Sequence, residues 1–175
     1  MPNPEANNPI TLEEISRVAR EMTLQQGGHA PLLVAQGDRQ ALMFPMTGMA
    51  ETHEGRARQM FITGMLLAGS GEVGVLQQVF FITEGWLSVV EGGRLPDTLP
   101  SQDPKRREVL TVSNLNLATG QTQMTIMEMK RDDQGVLQAL ETPDWNTPIR
   151  ENRAESPLLD AFVLGFFSSL LEVDE

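Results

Sequence analysis

Apolar and polar positions alternate along the chain with two different periods, and the places where the period changes mark the predicted elements. After a proline-spaced start, Thr11-Leu12-Glu13-Glu14 has the form of a capping box, in which the threonine hydroxyl accepts from a free amide and the glutamate reaches back. Leu12, Ile15, Val18, Ala19 and Met22 then recur at three- and four-residue steps, and Gly27-Gly28 supplies a stop, which predicts an amphipathic helix. Pro31 to Gln36 and Gln40 to Pro45, separated by Gly37-Asp38-Arg39, predict a hairpin of short strands. Ala57, Met60, Phe61, Gly64, Leu67 and Ala68 share one stripe and predict a second helix from about Ala50 to Gly69. Gly64 inside that helix costs about 1 kcal/mol relative to alanine, and close packing onto a sheet is the expected reason for it.

Val75 to Ile82 is almost continuously apolar, as in a central strand covered on both faces. Thr83 to Val90 extends it, with Gly85 as the expected bulge or bend. Leu95 to Lys105 holds Pro96, Pro100 and Pro104 and is read as irregular. Arg107 to Leu117, Gln121 to Lys130 and Val136 to Leu140 follow as strands separated by the turns Ala118-Thr119-Gly120 and Asp132-Asp133-Gln134-Gly135, which together make an antiparallel meander. Thr142 to Ser156 is expected to be a surface crossing, and Pro157 to open a terminal helix. The order α-β-β-α-β-β-β-β-α predicts an α+β fold, a mixed or antiparallel sheet with helices packed on it, rather than a doubly wound α/β fold. Residues 1–9 are expected to form a mobile tail and residues 10–175 a single domain.

Composition narrows the chemistry. A chain of 175 residues with 40% hydrophobic content is long enough to bury its own core, and with no cysteine it has no disulfide, thiolate metal site or thiol nucleophile. Lys and Arg number 13 against 24 Asp and Glu, a net charge of −11 that repels phosphate backbones and argues against nucleic-acid binding. The first residues carry neither a basic group nor a long apolar run, so they do not read as a secretory signal. Pro157 to Leu171 is shorter than the ~20 residues of a membrane span and contains Asp160. A cytoplasmic protein with no membrane partner is therefore expected. No nucleophile elbow, phosphate-cradling loop or dinucleotide fingerprint is present, and no cofactor is expected.

The first candidate for chemistry is Glu84, within Phe80-Phe81-Ile82-Thr83-Glu84-Gly85-Trp86. A strand period of two puts Glu84 on one face between Ile82 and Trp86, where desolvation would suit a carboxylate to proton transfer. The plainer reading is a solvated or ion-paired side chain. The second is Pro100-Ser101-Gln102-Asp103-Pro104-Lys105-Arg106-Arg107, the one dense basic cluster of the chain. There Trp86, Asp103, Arg106 and Arg107 are candidate ligand contacts for a small anionic ligand or an acidic protein partner, set against a charged strand start that merely blocks edge pairing. Glu51, His53, Glu54 and His29 lack the spacing of a metal motif, and no metal ligand is assigned. Leu158, Leu159, Phe162, Val163, Phe166, Phe167, Leu170 and Leu171 cover more than one stripe of the last helix, so a homo-oligomer through residues 157–171 is expected.

The stretches Val79 to Leu87 and Pro100 to Val109 resemble a pattern of uncharacterised bacterial proteins. The resemblance implies a bacterial or phage source and no activity. The residues support most directly a non-enzymatic, oligomeric ligand- or protein-binding module. The alternative is an acid–base enzyme in which Glu84 transfers the proton in a sheet-lined pocket and Arg106 or Arg107 anchors an anion.

Overall fold

The computed structural model describes residues 9–88, 99–143 and 156–171. Residues 1–8 of the expected 1–9 tail, Val89 and Val90 of the expected strand extension, residues 95–98 of the irregular stretch and residues 144–155 of the surface crossing lie outside the described residues. The elements are helix α1 (Leu12–Gln26), strands β1 (Leu32–Gly37) and β2 (Ala41–Pro45), helix α2 (His53–Ser70), strands β3 (Leu76–Leu87), β4 (Arg107–Asn116), β5 (Gln121–Arg131) and β6 (Leu137–Glu141), and helix α3 (Pro157–Leu171). The six strands form one sheet in the order β2-β1-β3-β4-β5-β6, with every neighbouring pair antiparallel. This is the α+β architecture expected from the sequence. One local correction is a 3-10 turn at Pro100–Gln102, inside the stretch read as irregular.

Helices cover the sheet from both sides. On one face, Ala19 with Leu12 and Ile15 of α1 meets Ile82, Leu110, Val112, Met127, Met129, Leu137 and Leu140. The capping box forms as predicted, with the Thr11 hydroxyl accepting from Glu14 N at 3.2 Å and a Glu14 carboxylate oxygen accepting from Thr11 N at 2.9 Å. The buried row of α1 is Ser16, Ala19 and Thr23, however, while Val18 and Met22 stay partly in solvent. Small side chains occupy the contact row, and the larger apolar residues flank it.

On the other face, Met60, Leu67 and Ala68 of α2 and Leu159, Phe162 and Phe166 of α3 pack on Leu33, Ala35, Val79, Phe81 and Leu115. The expected reason for Gly64 needs correcting. A Cβ there would overlap the Phe162 carbonyl oxygen, and one on Gly165 would overlap that of Phe61. The two glycines bring α2 against α3, so the close approach is helix to helix rather than helix to sheet. Of α3, only Leu159, Phe162, Gly165 and Phe166 are buried, and Leu164 remains 62% and Leu171 80% exposed. Among the described residues, no helix is long and apolar enough to cross a membrane.

A second interior element is polar. Gln36 Oε1 accepts from Ile10 N at 2.9 Å and from Gln78 Nε2 at 2.7 Å, and Gln78 Nε2 also donates to Ile10 O at 2.8 Å. Asn114 Nδ2 reaches Gln78 Oε1 at 3.3 Å. Gln36 and Gln78 thus satisfy the main chain of Ile10, Asn114 supports Gln78 from the next strand, and the segment before α1 is fastened to the sheet.

Candidate functional site

The site arises from a mismatch in strand length. β1 begins at Leu32, opposite Ile82, but β3 continues to Leu87. Pro31, which has no N–H, precedes β1, and its carbonyl accepts from Met46 N on the β2 side. Thr83–Leu87 therefore pairs with Arg107–Thr111 of β4 and, among the described residues, has no strand on its other side. The pairing with β4 runs through Gly85 without a register shift, so the bulge expected there is absent. The shifts occur instead at Gln36/Gly37 and Lys130/Arg131.

Along the open side of β3 lies a groove of about 670 Å³. Met49, Phe81, Trp86, Leu99, Pro100 and Leu158 give it apolar walls, and Arg56, Thr83, Glu84, Ser101 and Glu108 supply the polar groups. Both sheet faces contribute, because the groove wraps a strand edge. Volume and mixed lining are those of an ordinary small-ligand cleft, which runs from about 300 to 1,000 Å³.

Glu84 sits half-buried on the α1 face, and one of its carboxylate oxygens accepts from His29 N at 2.5 Å. A Cβ on Gly28 would stand 3.3 Å from the same oxygen, a tight contact that the carboxylate would have to relieve by a small shift. The carboxylate thus holds the chain leaving α1 as it turns toward β1. Glu108, two strand positions along, is bound by Arg131 through two parallel hydrogen bonds of 2.7 and 2.9 Å. Arg131 also donates to the carbonyls of Gly27 and Gly135, and its hydrogen bonds to Glu108 raise its pKa further above the ordinary arginine value.

Trp86 is 47% exposed, and the Arg106 guanidinium carbon stands 4.6 Å from its ring centroid, a cation–π contact. Arg106 Nη1 also donates to Ser101 O at 3.0 Å. Asp103 serves the turn before β4: its carboxylate accepts from Lys105 N at 2.8 Å, which together with the charges of Lys105 and Arg106 holds its pKa below the usual aspartate value. Arg107 lies apart on the α2/α3 face, where it pairs with Glu128 at 3.2 Å. Burial alone would raise the Glu128 pKa, but Lys130 and Arg107 outweigh it and the net shift is downward.

The fold thus brings together Glu84, Trp86 and Arg106 and separates Arg107 from them. The two arginines adjacent in sequence do not form one anion anchor, since adjacent residues at a strand start point to opposite faces. The groove's own cation is Arg56, which the sequence reading left out. It sits in the first turn of α2, where the helix dipole disfavours a positive charge, and that misplacement was the available signal. Its Nη2 donates to Glu51 O at 3.1 Å and its Nε to Thr52 O at 3.4 Å, and among the described residues no carboxylate pairs with it. Among the described residues no three His, Asp or Glu side chains cluster as a metal site would require. No protein-family model, curated protein or solved structure matches the chain.

Proposed function

We propose that the protein is a non-enzymatic binding module, cytoplasmic and of bacterial or phage origin, whose site is the groove beside Thr83–Leu87. The observation that carries this reading is the guanidinium of Arg56, which among the described residues pairs with no carboxylate, in a groove whose walls are partly apolar. Such a site takes a ligand with an apolar body and an anionic group: Trp86, Phe81 and Leu158 remove the body from water, and Arg56 meets the charge with planar donors. Arg106 is held over Trp86 and adds positive potential at the rim. Acid–base catalysis finds less support, because one Glu84 oxygen is already occupied by a main-chain amide and Arg107 faces away.

The test uses anilinonaphthalene sulfonate, an aromatic anion whose fluorescence rises on leaving water. Saturable binding that weakens about tenfold in Arg56→Ala, the loss of one charge-assisted contact, supports the reading. Binding indifferent to both Arg56→Ala and Trp86→Ala overturns it.

The module acts as a homo-oligomer. Leu164, Phe167, Leu170 and Leu171 of α3, with Ile62 and Leu66 of α2, present apolar side chains outward. No charged residue interrupts the run from Leu164 to Leu171. A second copy burying this face would exclude water from both patches at once. Sedimentation equilibrium of the full chain should give a multiple of the protomer mass, reduced to one protomer in Leu164→Glu. A monomer at micromolar concentration removes the oligomer from the proposal and leaves the groove untouched.

A further inference from the structure

Gly85 stands where nothing in the described fold requires a glycine. Glycine weakens a strand, and inside one it marks a bulge, a bend or a place where another molecule comes close. The pairing of β3 with β4 runs through Gly85 in register, from Glu84 opposite Leu110 to Trp86 opposite Glu108, which removes the bulge. Its φ is not positive, unlike those of the turn glycines Gly120 and Gly135. A Cβ there would meet no atom of the described residues within 4 Å, whereas at Gly64 and Gly165 the place is already taken by helix backbone. The remaining role is to leave room in the groove that Gly85 lines.

The strand divides the charges of that groove between its two sides. With a side-chain period of two, Phe81, Thr83 and Gly85 face the α2/α3 layer, and Ile82, Glu84 and Trp86 face the α1 side. Arg56 of α2 lies on the first side with Met49, Phe81 and Leu158, and Glu84 and Glu108 lie on the second. Glu108 is compensated by the two hydrogen bonds from Arg131, and Arg106 stands outside the lining, over Trp86 and beside Asp103. One cation and one carboxylate remain. Arg56 bonds only to the carbonyls of Glu51 and Thr52, and Glu84 accepts from His29 N with one oxygen and has no partner for the other among the described residues. Between them runs the edge of β3, where β4 pairs on one side only and every second residue turns its N–H and C=O toward the groove.

A cation beside apolar walls, a carboxylate across the strand and main-chain donors and acceptors between them match the parts of one kind of molecule. We infer that the groove binds a short peptide with free termini, which crosses the strand edge over Gly85 instead of running along it. The peptide carboxylate meets the planar donors of Arg56, and its ammonium donates to the free oxygen of Glu84. An apolar side chain packs on Met49, Phe81 and Leu158, and the peptide amides meet the main chain of Thr83–Leu87. A peptide of about three residues reaches about 10 Å when extended, and a groove of about 670 Å³ has room for it. Charged termini separate this ligand from a segment of a longer chain. The inference rests on the groove being the binding site and adds the class of ligand.

The test is calorimetric titration of the full chain with trileucine, N-acetyl-trileucine and trileucine amide. Trileucine should bind saturably, and blocking either terminus should weaken it about tenfold, as loss of a charge-assisted hydrogen bond does. Two variants then assign the charges. In Arg56→Ala the free acid and the amide should bind within about twofold of each other while the acetyl effect persists, and in Glu84→Gln, which keeps an acceptor for His29 N, the acetyl effect should vanish while the amide effect persists. Gly85→Val should weaken trileucine about tenfold or more by filling the crossing point, with a urea midpoint no lower than that of the parent chain, because valine suits a strand. No saturable binding of trileucine, equal binding of a blocked peptide, a terminus effect that survives in its own variant, or undiminished binding by Gly85→Val overturns the inference. So does a lowered midpoint in Gly85→Val, which would mean that the fold itself needs the glycine. If the sulfonate binds through Arg56 while trileucine fails, the groove remains a binding site and only the peptide ligand is lost; if neither binds, both fall.

Discussion

Strand β3 contains two environments in one element. From Gln78 to Ile82 it is paired on both edges, and Val79, Phe80, Phe81 and Ile82 are at most 5% exposed between the α1 and α2/α3 layers. From Thr83 to Leu87 it keeps one partner strand, loses the other, and carries an exposed tryptophan, a half-buried carboxylate and a glycine beside open space. The closed half contains no ionisable residue, whereas the open half contains Glu84 and lies opposite Arg107 and Glu108 of β4. Stability is concentrated in the first half and binding capacity in the second. Hydrophobic burial fills both faces of a strand only where neighbours exist on both edges, and a strand longer than its neighbour exposes polar main chain that is available to a ligand.

The strongest way to break this comparison is truncation of equivalent aromatic residues. Phe80→Ala should destabilise the chain by about 3–5 kcal/mol in urea unfolding, since it leaves a cavity between two layers, whereas Trp86→Ala should cost about 1 kcal/mol or less, near the value of an exposed cation–π contact. Equal losses would mean that the open half is as much core as the closed one. Next in size is Glu84→Ala. Removing the acceptor for His29 N leaves a part-buried donor unpaired, at about 1–3 kcal/mol, and Glu84→Gln, which retains an oxygen acceptor, should recover most of it.

Acid should separate the halves further. Asp103, Asp132, Glu14 and Glu128 all have lowered pKa values in the folded chain, the first three chiefly because main-chain amides donate to their carboxylates and Glu128 because Lys130 and Arg107 outweigh its burial. A lowered folded pKa means that the unfolded chain binds more protons. The stability these groups contribute is therefore present above the ordinary carboxylate range and is lost as pH falls through their lowered values. Urea midpoints should hold above about pH 5 and fall progressively below it, and amide protection should fail first around Asp103 and Asp132 while Val79–Ile82 stays protected. Uniform loss of protection would contradict the division. The smallest effect on stability is expected for Arg56→Ala, within about 0.5 kcal/mol, despite a clear loss of anionic-probe binding.

Legibility in the sequence followed the range of the interactions. The capping box at Thr11 and the terminal helix from Pro157 were readable because caps, proline and periodicity act within a few residues. The buried row of α1 was misjudged because hydrophobicity marked Val18 and Met22, while close approach to the sheet favoured Ser16, Ala19 and Thr23. Gly64 was recognised as a packing position, but its partner Gly165 lies about a hundred residues away along the chain, and only the fold joins them. Glu84 and Trp86 were found because they are local to one strand. Arg56 was missed because nothing near it in sequence marks the groove that α2 helps to wall.

By itself the sequence determined the number and order of the helices and strands, the antiparallel meander and the surplus of negative charge, since these depend on neighbouring residues and on composition. Tertiary structure alone decided which helices share a face, that α2 and α3 meet glycine against backbone, and that β1 stops opposite Ile82 while β3 continues. The last of these creates the groove. Strand register and relative length are set by contacts between residues distant in the chain, so an open edge and the cation beside it exist only once those contacts have formed.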